Sequence, residues 1–402
     1  MSNRLNNFSF LTGLVKWFFI IIIIGVIAGT SAAFFLASLN WITKYREMHL
    51  WMIAFLPVAG LVSGLLYYYY GKEFAAGNKL LINAIHEPKG IIPIFMAPMI
   101  YINTLITHLF GGSAGREGTA LQIAASLSDQ FSKPLNLSVE DRKILLLAAV
   151  AAGFGAVFGT PIAGAVFALE FCLIKKFNSK IFFVVIASSI LSNCIAMLLN
   201  TKHTSYPIRI IPSIGFIELI WTIIAGIAFG VCAVLFNTSM QKLSGLFKKY
   251  IVFAPLQPMI GGFLIAIAVY LIGTTKYIGL GIPTMVAAFT TTLPYYDFIL
   301  KMAFTILTLA AGFKGGEATP LFFIGAALGN CLSLFIPLPF ALLSGMGFVA
   351  VFAGVMNTPL ACAIMAVELF GIHAGFYAAL ACLIACGVGN ILSPLFKPND
   401  PF

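Results

Sequence analysis

Glu117 is the residue whose type and setting most directly suggest chemistry. It stands in the run Gly115-Arg116-Glu117-Gly118-Thr119, immediately before an apolar stretch that opens at Ala120. That pattern predicts a helix start, where unpaired N–H groups and the positive end of the helix dipole make an anion site. A carboxylate placed there is a tethered anion that competes with a mobile one. Protonation would neutralise it and release it. The plainer alternative is a first-turn glutamate that only complements the dipole. An ionisable group at membrane depth favours the functional reading, because such groups are rare there and mostly functional.

Other residues extend the pattern. Glu317, in Gly315-Gly316-Glu317-Ala318-Thr319, is the counterpart of Glu117. It is either a secondary titratable site group or a structural carboxylate held by backbone N–H groups or by Lys314. Asn78 follows Gly77 and could turn its amide toward an anion, or simply form a turn. Phe313, Thr319, Phe322 and Phe323 cluster around the second glutamate. A threonine hydroxyl and the positive edges of aromatic rings both suit an anion, although plain packing explains the rings equally well. Glu170 and Glu368 each lie ten residues after a threonine (Thr160 and Thr358), and this symmetric placement reads as structural. No metal, nucleotide or nucleophile signature is present. The histidines form no i, i+4 pair, and the seven cysteines form no CxxC. The expectation is a protein that is not an enzyme and holds no cofactor.

The elements that must position these residues belong to a membrane. Hydrophobic residues make up 60% of the 402 and charged residues only 9%, against about 25% charged in soluble domains. Apolar runs from Trp17 to Ala37, which holds no charge, Met52 to Tyr70, Phe182 to Leu199 and Ile217 to Phe236 suit spanning helices, while Ile260 to Ile272 falls short of a span. The net charge of +10 sits in short clusters between apolar runs, as expected of loops facing lipid headgroups, so nucleic acid is not an expected partner. Arg4 and Lys16 place the N-terminus in the cytoplasm by the positive-inside rule. The run from Trp17 reads as a retained helix, since no small-residue cleavage site follows it.

Many runs are interrupted by glycine and proline at 111–115, 159–161, 279–283, 312–320 and 357–359. Irregular backbone at membrane depth is tolerated only inside protein or around a water-filled cavity, and transporters use it to aim half-helix ends at a substrate. The interruptions also recur. Thr160-Pro161-Ile162-Ala163 matches Thr358-Pro359-Leu360-Ala361, Gly115–Thr119 matches Gly315–Thr319, and Gly71 and Gly77 match Gly273 and Gly279. Three matches in one order at nearly one offset indicate two homologous halves. The expected organisation is an N-terminal cytoplasmic segment (1–14), a first transmembrane repeat (15–200), a linker (201–214), a second repeat (215–396) and a short tail (397–402) without a regulatory domain. The halves are expected to be inverted, with the site where they meet.

These motifs resemble the CLC family of chloride channels and anion/proton antiporters. Gly115-Arg116-Glu117-Gly118 matches the family's stretch bearing the gating glutamate, and Gly155 to Gly164 with Phe167 and Glu170 matches its GxFxxPIxG segment. The resemblance implies an all-α polytopic fold built as an inverted repeat with broken helices. It also implies a homodimer with one pathway per subunit. Gly77-Asn78-Lys79 in place of GSGIP, Thr119 after the gating stretch, and Gly312 to Pro320 are most similar to the bacterial fluoride/proton antiporter branch. That likeness implies a multi-pass protein of the bacterial inner membrane that exchanges fluoride for protons. A chloride/proton antiporter, or a passive chloride or fluoride channel, is the alternative. Glu117 would be the gating and proton-coupling group. The anion would meet Gly77, Asn78, Gly115, Arg116, Gly118, Phe313, Ala318 and Thr319, with Phe396 standing where the family has a coordinating tyrosine. No carboxylate falls near His203–Tyr206, where chloride antiporters carry an internal proton glutamate.

Overall fold

The computed structural model describes the backbone of residues 2–87, 90–174 and 178–396, and the side chains within those ranges from 13 to 392. Phe396 therefore lies outside the residues whose side chains are described. Helices dominate, in two series. The first is α1 (Ser2–Met48), α2 (Leu56–Tyr70), α3 (Asn78–His86), α4 (Met96–Leu109), α5 (Glu117–Asp129), α6 (Val139–Phe158), α7 (Pro161–Phe171) and α8 (Ser179–Leu198). An irregular connection leads to the second: α9 (Phe216–Tyr250), α10 (Leu256–Ile272), α11 (Ile282–Ala287), α12 (Asp297–Ala310), α13 (Ala318–Leu332), α14 (Phe340–Met356), α15 (Pro359–Phe370) and α16 (Ile372–Phe396). No strand forms among the described residues. One isolated antiparallel bridge joins Gly115 and Gly316.

Segments Gly13–Met48, Leu50–Tyr70, Ser179–Leu198, Phe216–Tyr250 and Ile372–Leu392 are long and apolar enough to cross a bilayer. The first four contain or largely overlap runs expected from the sequence. The fifth was not singled out there. The remaining apolar helices are short because their ends are written into the sequence. Pro161 and Pro359 open α7 and α15, where the missing N–H is no loss. Ser138 caps α6 by accepting a hydrogen bond from the Asp141 N–H at 3.1 Å, and Asn178 caps α8 through Ile181 N at 2.9 Å.

The repeat seen in the sequence returns in the backbone torsions. Gly77 and Gly279 both have φ of +57°, and Gly111 and Gly312 both have φ of +97°. Gly159 ends α6 at φ +73°, while Asn357, the other residue type that tolerates the left-handed region, ends α14 at +55°. Thr160 and Thr358 then precede the prolines at φ −126° and −124°.

The chain forms two compact units. One comprises Met1–Leu36, Ala76–Pro98 and Ala120–His203, and the other Ala37–Ala75, Met99–Thr119 and Thr204–Phe402. In the first unit, Ser189 and Ser192 on α8 donate to the Ala151 and Ala152 carbonyls of α6 at 3.0 and 2.7 Å. A buried ion pair locks the approach to α6. Arg142 grips both oxygens of Asp129 at 2.7 Å and donates to the Gly90 carbonyl at 2.6 Å. In the second unit α13 and α14 touch backbone to backbone. A Cβ on Gly325 would stand 1.9 Å from the Gly347 carbonyl oxygen, and one on Gly329 2.0 Å from that of Leu343. Small residues permit this approach between membrane helices. Phe322 of α13 stacks on Phe348 of α14 at 4.2 Å, which fixes the rotation of α13 and hence where its N-terminus points.

Candidate anion-coupling site

The two long breaks of the second unit meet at the Gly115–Gly316 bridge. Gly115 N donates to Gly316 O at 2.6 Å and Gly316 N to Gly115 O at 2.9 Å. This reciprocal pair satisfies backbone groups that neither helix can use and sets the two glutamate loops side by side. The glycines are required sterically. A Cβ on Gly316 would lie 2.1 Å from Glu117 Oε1, and one on Gly115 2.5 Å from the same oxygen.

Glu117 opens α5, so the helix starts three residues earlier than the apolar stretch at Ala120. Its carboxylate is buried, at 5% exposure. It turns to the N-terminus of α13. Oε1 accepts from Ala318 N at 2.5 Å, and Oε2 accepts from Thr319 N at 3.3 Å, from Thr319 Oγ1 at 3.0 Å and from Arg116 N at 2.9 Å. Three backbone N–H groups and one hydroxyl thus surround a single anionic group. Charge-assisted bonds of this kind exceed neutral ones in strength, and the positive end of α13 adds to them. The arrangement can hold an anion of about carboxylate-oxygen size, and here that anion is the protein's own side chain.

Around this centre the expected residues divide. Gly115, Arg116, Gly118, Ala318 and Thr319 all belong to it, and Gly118 N lies 2.9 Å from where a Gly316 Cβ would stand. The Arg116 Nε is buried without a hydrogen-bond partner among the described residues, and its charge faces Glu117 and Tyr206. Glu317 is half-buried at the N-cap of α13. Its backbone carbonyl accepts from Leu321 N at 3.0 Å, but its side chain makes no capping bond and no hydrogen bond or ion pair among the described residues, though it stands within electrostatic reach of Glu117. The expected tie to Lys314 is not formed: Lys314 Nζ sits 4.1 Å over the ring of Tyr67. Phe313 is buried and packs against Gly60, where a Cβ would meet its ring at 2.9 Å, so it serves packing at least.

Gly77 and Asn78 lie in the first unit. Gly77 takes its left-handed φ at the start of α3, with Asn78 as the first helical residue. Asn78 Oδ1 accepts from Gln122 Nε2 at 3.0 Å. Gln122 carried no signal in the sequence beyond its place five residues after Glu117 in a helix of mostly small side chains. Thr104 was also unforeseen. Its hydroxyl pairs with that of Thr119 at 2.7 Å, both fully buried.

Comparison with known proteins bears on the family and the fold. The family model described as voltage gated chloride channel matches residues 59–390. A chloride/fluoride channel protein of Pseudomonas syringae pv. tomato is 44% identical over 376 residues, covering 92% of this chain and 83% of that one. The H(+)/Cl(-) exchange transporter ClcA of Vibrio cholerae serotype O1 is 26% identical over 397 residues, covering 87% of this chain and 81% of its own length. Among solved structures, a CLC-type fluoride/proton antiporter superposes with a TM-score of 0.90 at 29% identity, covering 96% of this chain and 98% of the other.

Proposed function

The chain belongs to the voltage gated chloride channel family, a family of channels and transporters, and on that premise we propose that it exchanges fluoride for protons and exports fluoride. The observation that carries the proposal is the seat of the Glu117 carboxylate on Ala318 N, Thr319 N and Thr319 Oγ1. These donors converge on one small volume, so a carboxylate and a halide cannot both occupy it. When Glu117 takes up a proton it loses its charge and most of its attraction for the donors, and fluoride takes its place. When fluoride leaves, the deprotonated side chain returns. Proton and anion thereby alternate at one position.

Fluoride is small and strongly hydrated, and dehydrating it demands strong, converging donors. N–H groups at a helix start and a threonine hydroxyl are of that kind. Neutral HF enters a cell from acid surroundings and ionises inside, so exchange for inward protons returns the trapped ion. Glu317, without a partner and close to Glu117, is the secondary proton-handling candidate. Gly77, Asn78 and Phe313 enter the anion path through the family resemblance, with Phe396 in the place of its tyrosine. The same resemblance supports a homodimer in the inner membrane of a bacterium. The likeness to the chloride/fluoride channel protein of Pseudomonas favours a second reading, a passive chloride or fluoride channel of the same fold.

Purified protein in liposomes loaded with fluoride separates the readings. A fluoride electrode and an external pH electrode record both ions after dilution. The proposal expects fluoride efflux to drive protons inward against an opposing pH gradient. Fluoride efflux with no proton movement leaves the passive channel, and chloride moving as readily as fluoride removes the assignment of the anion.

A further inference from the structure

Lys301 is fully buried on α12, yet no carboxylate pairs with it among the described residues. Its Nζ donates to Ser113 Oγ at 2.9 Å, to Tyr277 O at 3.1 Å and to Gly279 O at 2.7 Å. Three acceptors around one nitrogen match the three donors of an ammonium. The carboxylate one turn away, Asp297, is engaged by Lys276 and by Tyr277, whose hydroxyl donates at 2.6 Å. The face of α12 continues the grip. Thr305 Oγ1 meets Ser113 Oγ at 2.9 Å and Thr308 Oγ1 accepts from Ser113 N at 3.0 Å. Residues 301, 305 and 308 thus form one stripe that holds the loop leading to Glu117.

A second cation braces the same loop. Arg46 Nη1 donates to the His108 carbonyl at 2.8 Å, and its only ion-pair partner among the described residues, Glu47, is 3.9 Å away and 57% exposed. The Gly279 loop carries both: Lys301 binds its carbonyl, and a Cβ on Gly279 would meet the Arg46 guanidinium at 2.7 Å. The titratable and charged groups around this cluster are Arg46 of α1, His108 of α4, Lys276 and Tyr277 of the Gly279 loop, and Asp297 at the start of α12; Arg116 faces His108 on one side and Glu117 on the other, and Glu117 in turn faces Glu317. Among the described residues neither Lys301 nor Arg116 forms an ion pair, and the buried carboxylate one turn from Lys301, Asp297, is taken up by Lys276 and Tyr277.

We propose that Lys301 is a positioning and charge-setting residue for the anion, a buried amino group that holds the Ser113 turn and, carrying its proton, makes entry of a small anion the answer to protonation of Glu117. The inference rests on the exchange reading above. The equivalent position of the first repeat is Ile100, 201 residues earlier, so the repeat alone does not call for a charge there.

The test compares wild type, Lys301→Gln, Lys301→Arg and Ser113→Ala in fluoride-loaded liposomes across external pH. Glutamine keeps two donors for the carbonyls and removes the charge. Lys301→Met serves if glutamine is not accommodated. Loss of a neighbouring cation is expected to raise the fluoride KM about tenfold and move the pH midpoint of exchange upward by about one unit. Lys301→Arg should restore both toward wild type. Ser113→Ala should lower the maximal rate and leave the midpoint in place. Lys301→Gln matching wild type, or matching Ser113→Ala in both readouts, overturns the proposal. Fluoride binding by calorimetry in detergent tests the same charge without transport. Equal affinity in wild type and Lys301→Gln also overturns it, whereas absent exchange in wild type with weakened binding in Lys301→Gln indicts only the exchange reading.

Discussion

The break that follows α4 and the break that follows α12 have one backbone and two chemistries. Both begin with a glycine at φ +97° and both contribute a glycine to the central bridge. Each then presents a glutamate, one residue of small side chain and a threonine. In the first break the Thr119 hydroxyl is committed to Thr104 of α4. In the second, Thr305, the counterpart of Thr104, turns instead to Ser113, and Thr319 is left to face an anion. Glu117 fills that seat, whereas Glu317 stays at its N-cap with no side-chain hydrogen bond among the described residues. An ancestral symmetry can fix the frame of a site while a few polar side chains decide which of its two positions binds.

Exchanging the roles of the two glutamates should break this comparison most severely. Glu117→Gln should reduce fluoride-driven proton movement in liposomes by more than about a hundredfold, since a neutral amide cannot carry the proton. Glu317→Gln should reduce it by about tenfold and leave fluoride movement in place, as expected of a group that assists proton transfer without occupying the anion seat. Equal losses in the two variants would remove the distinction between the breaks. Next comes the packing that aims α13. Gly325→Ala forces a methyl into the Gly347 carbonyl and should lower stability by about 3 kcal/mol, read as thermal unfolding in detergent.

The threonines sharpen the comparison. Thr319→Val removes one donor and should raise the fluoride KM about tenfold, while Thr104→Val should leave KM unchanged and lower stability by about 1 kcal/mol. The smallest effect lies at the membrane edge, away from both breaks. Burial pushes the Asp141 carboxyl up, but hydrogen bonds and charge from Lys16 and Lys180, each at 3.0 Å, outweigh this and hold it below the ordinary value of 3.8. The contribution is therefore complete above that value and lost as pH falls through the depressed one. Exposed pairs contribute little, so Asp141→Asn should change stability by less than about 1 kcal/mol, and only above about pH 4.

Much of this was legible in the sequence, for physical reasons. Glycine and proline mark the breaks because left-handed torsions and missing N–H groups restrict the residue types allowed there. The repeat showed itself through those same positions. Glu117 stood out because an acid at the start of an apolar helix is costly without a purpose. The direction of its side chain was not legible: the expected donors were those of its own helix, and the structure supplies them mostly from α13, about two hundred residues away. Lys301 and Thr104 were invisible for the same reason, and Ser113 stood out only as a member of the 111–115 break. Single polar residues inside apolar runs acquire meaning only from partners distant in sequence. The segment Ile372–Leu392 escaped notice because its glycines and lone polar side chains blur the apolar run that marks a span.

The central claim is competition between the Glu117 carboxylate and fluoride for the donors at the start of α13. Calorimetric titration of fluoride into wild type and Glu117→Gln at neutral pH tests it most directly. Tighter binding in the variant, where the tethered competitor has lost its charge, is the predicted result. Equal or weaker binding in the variant would contradict a shared seat.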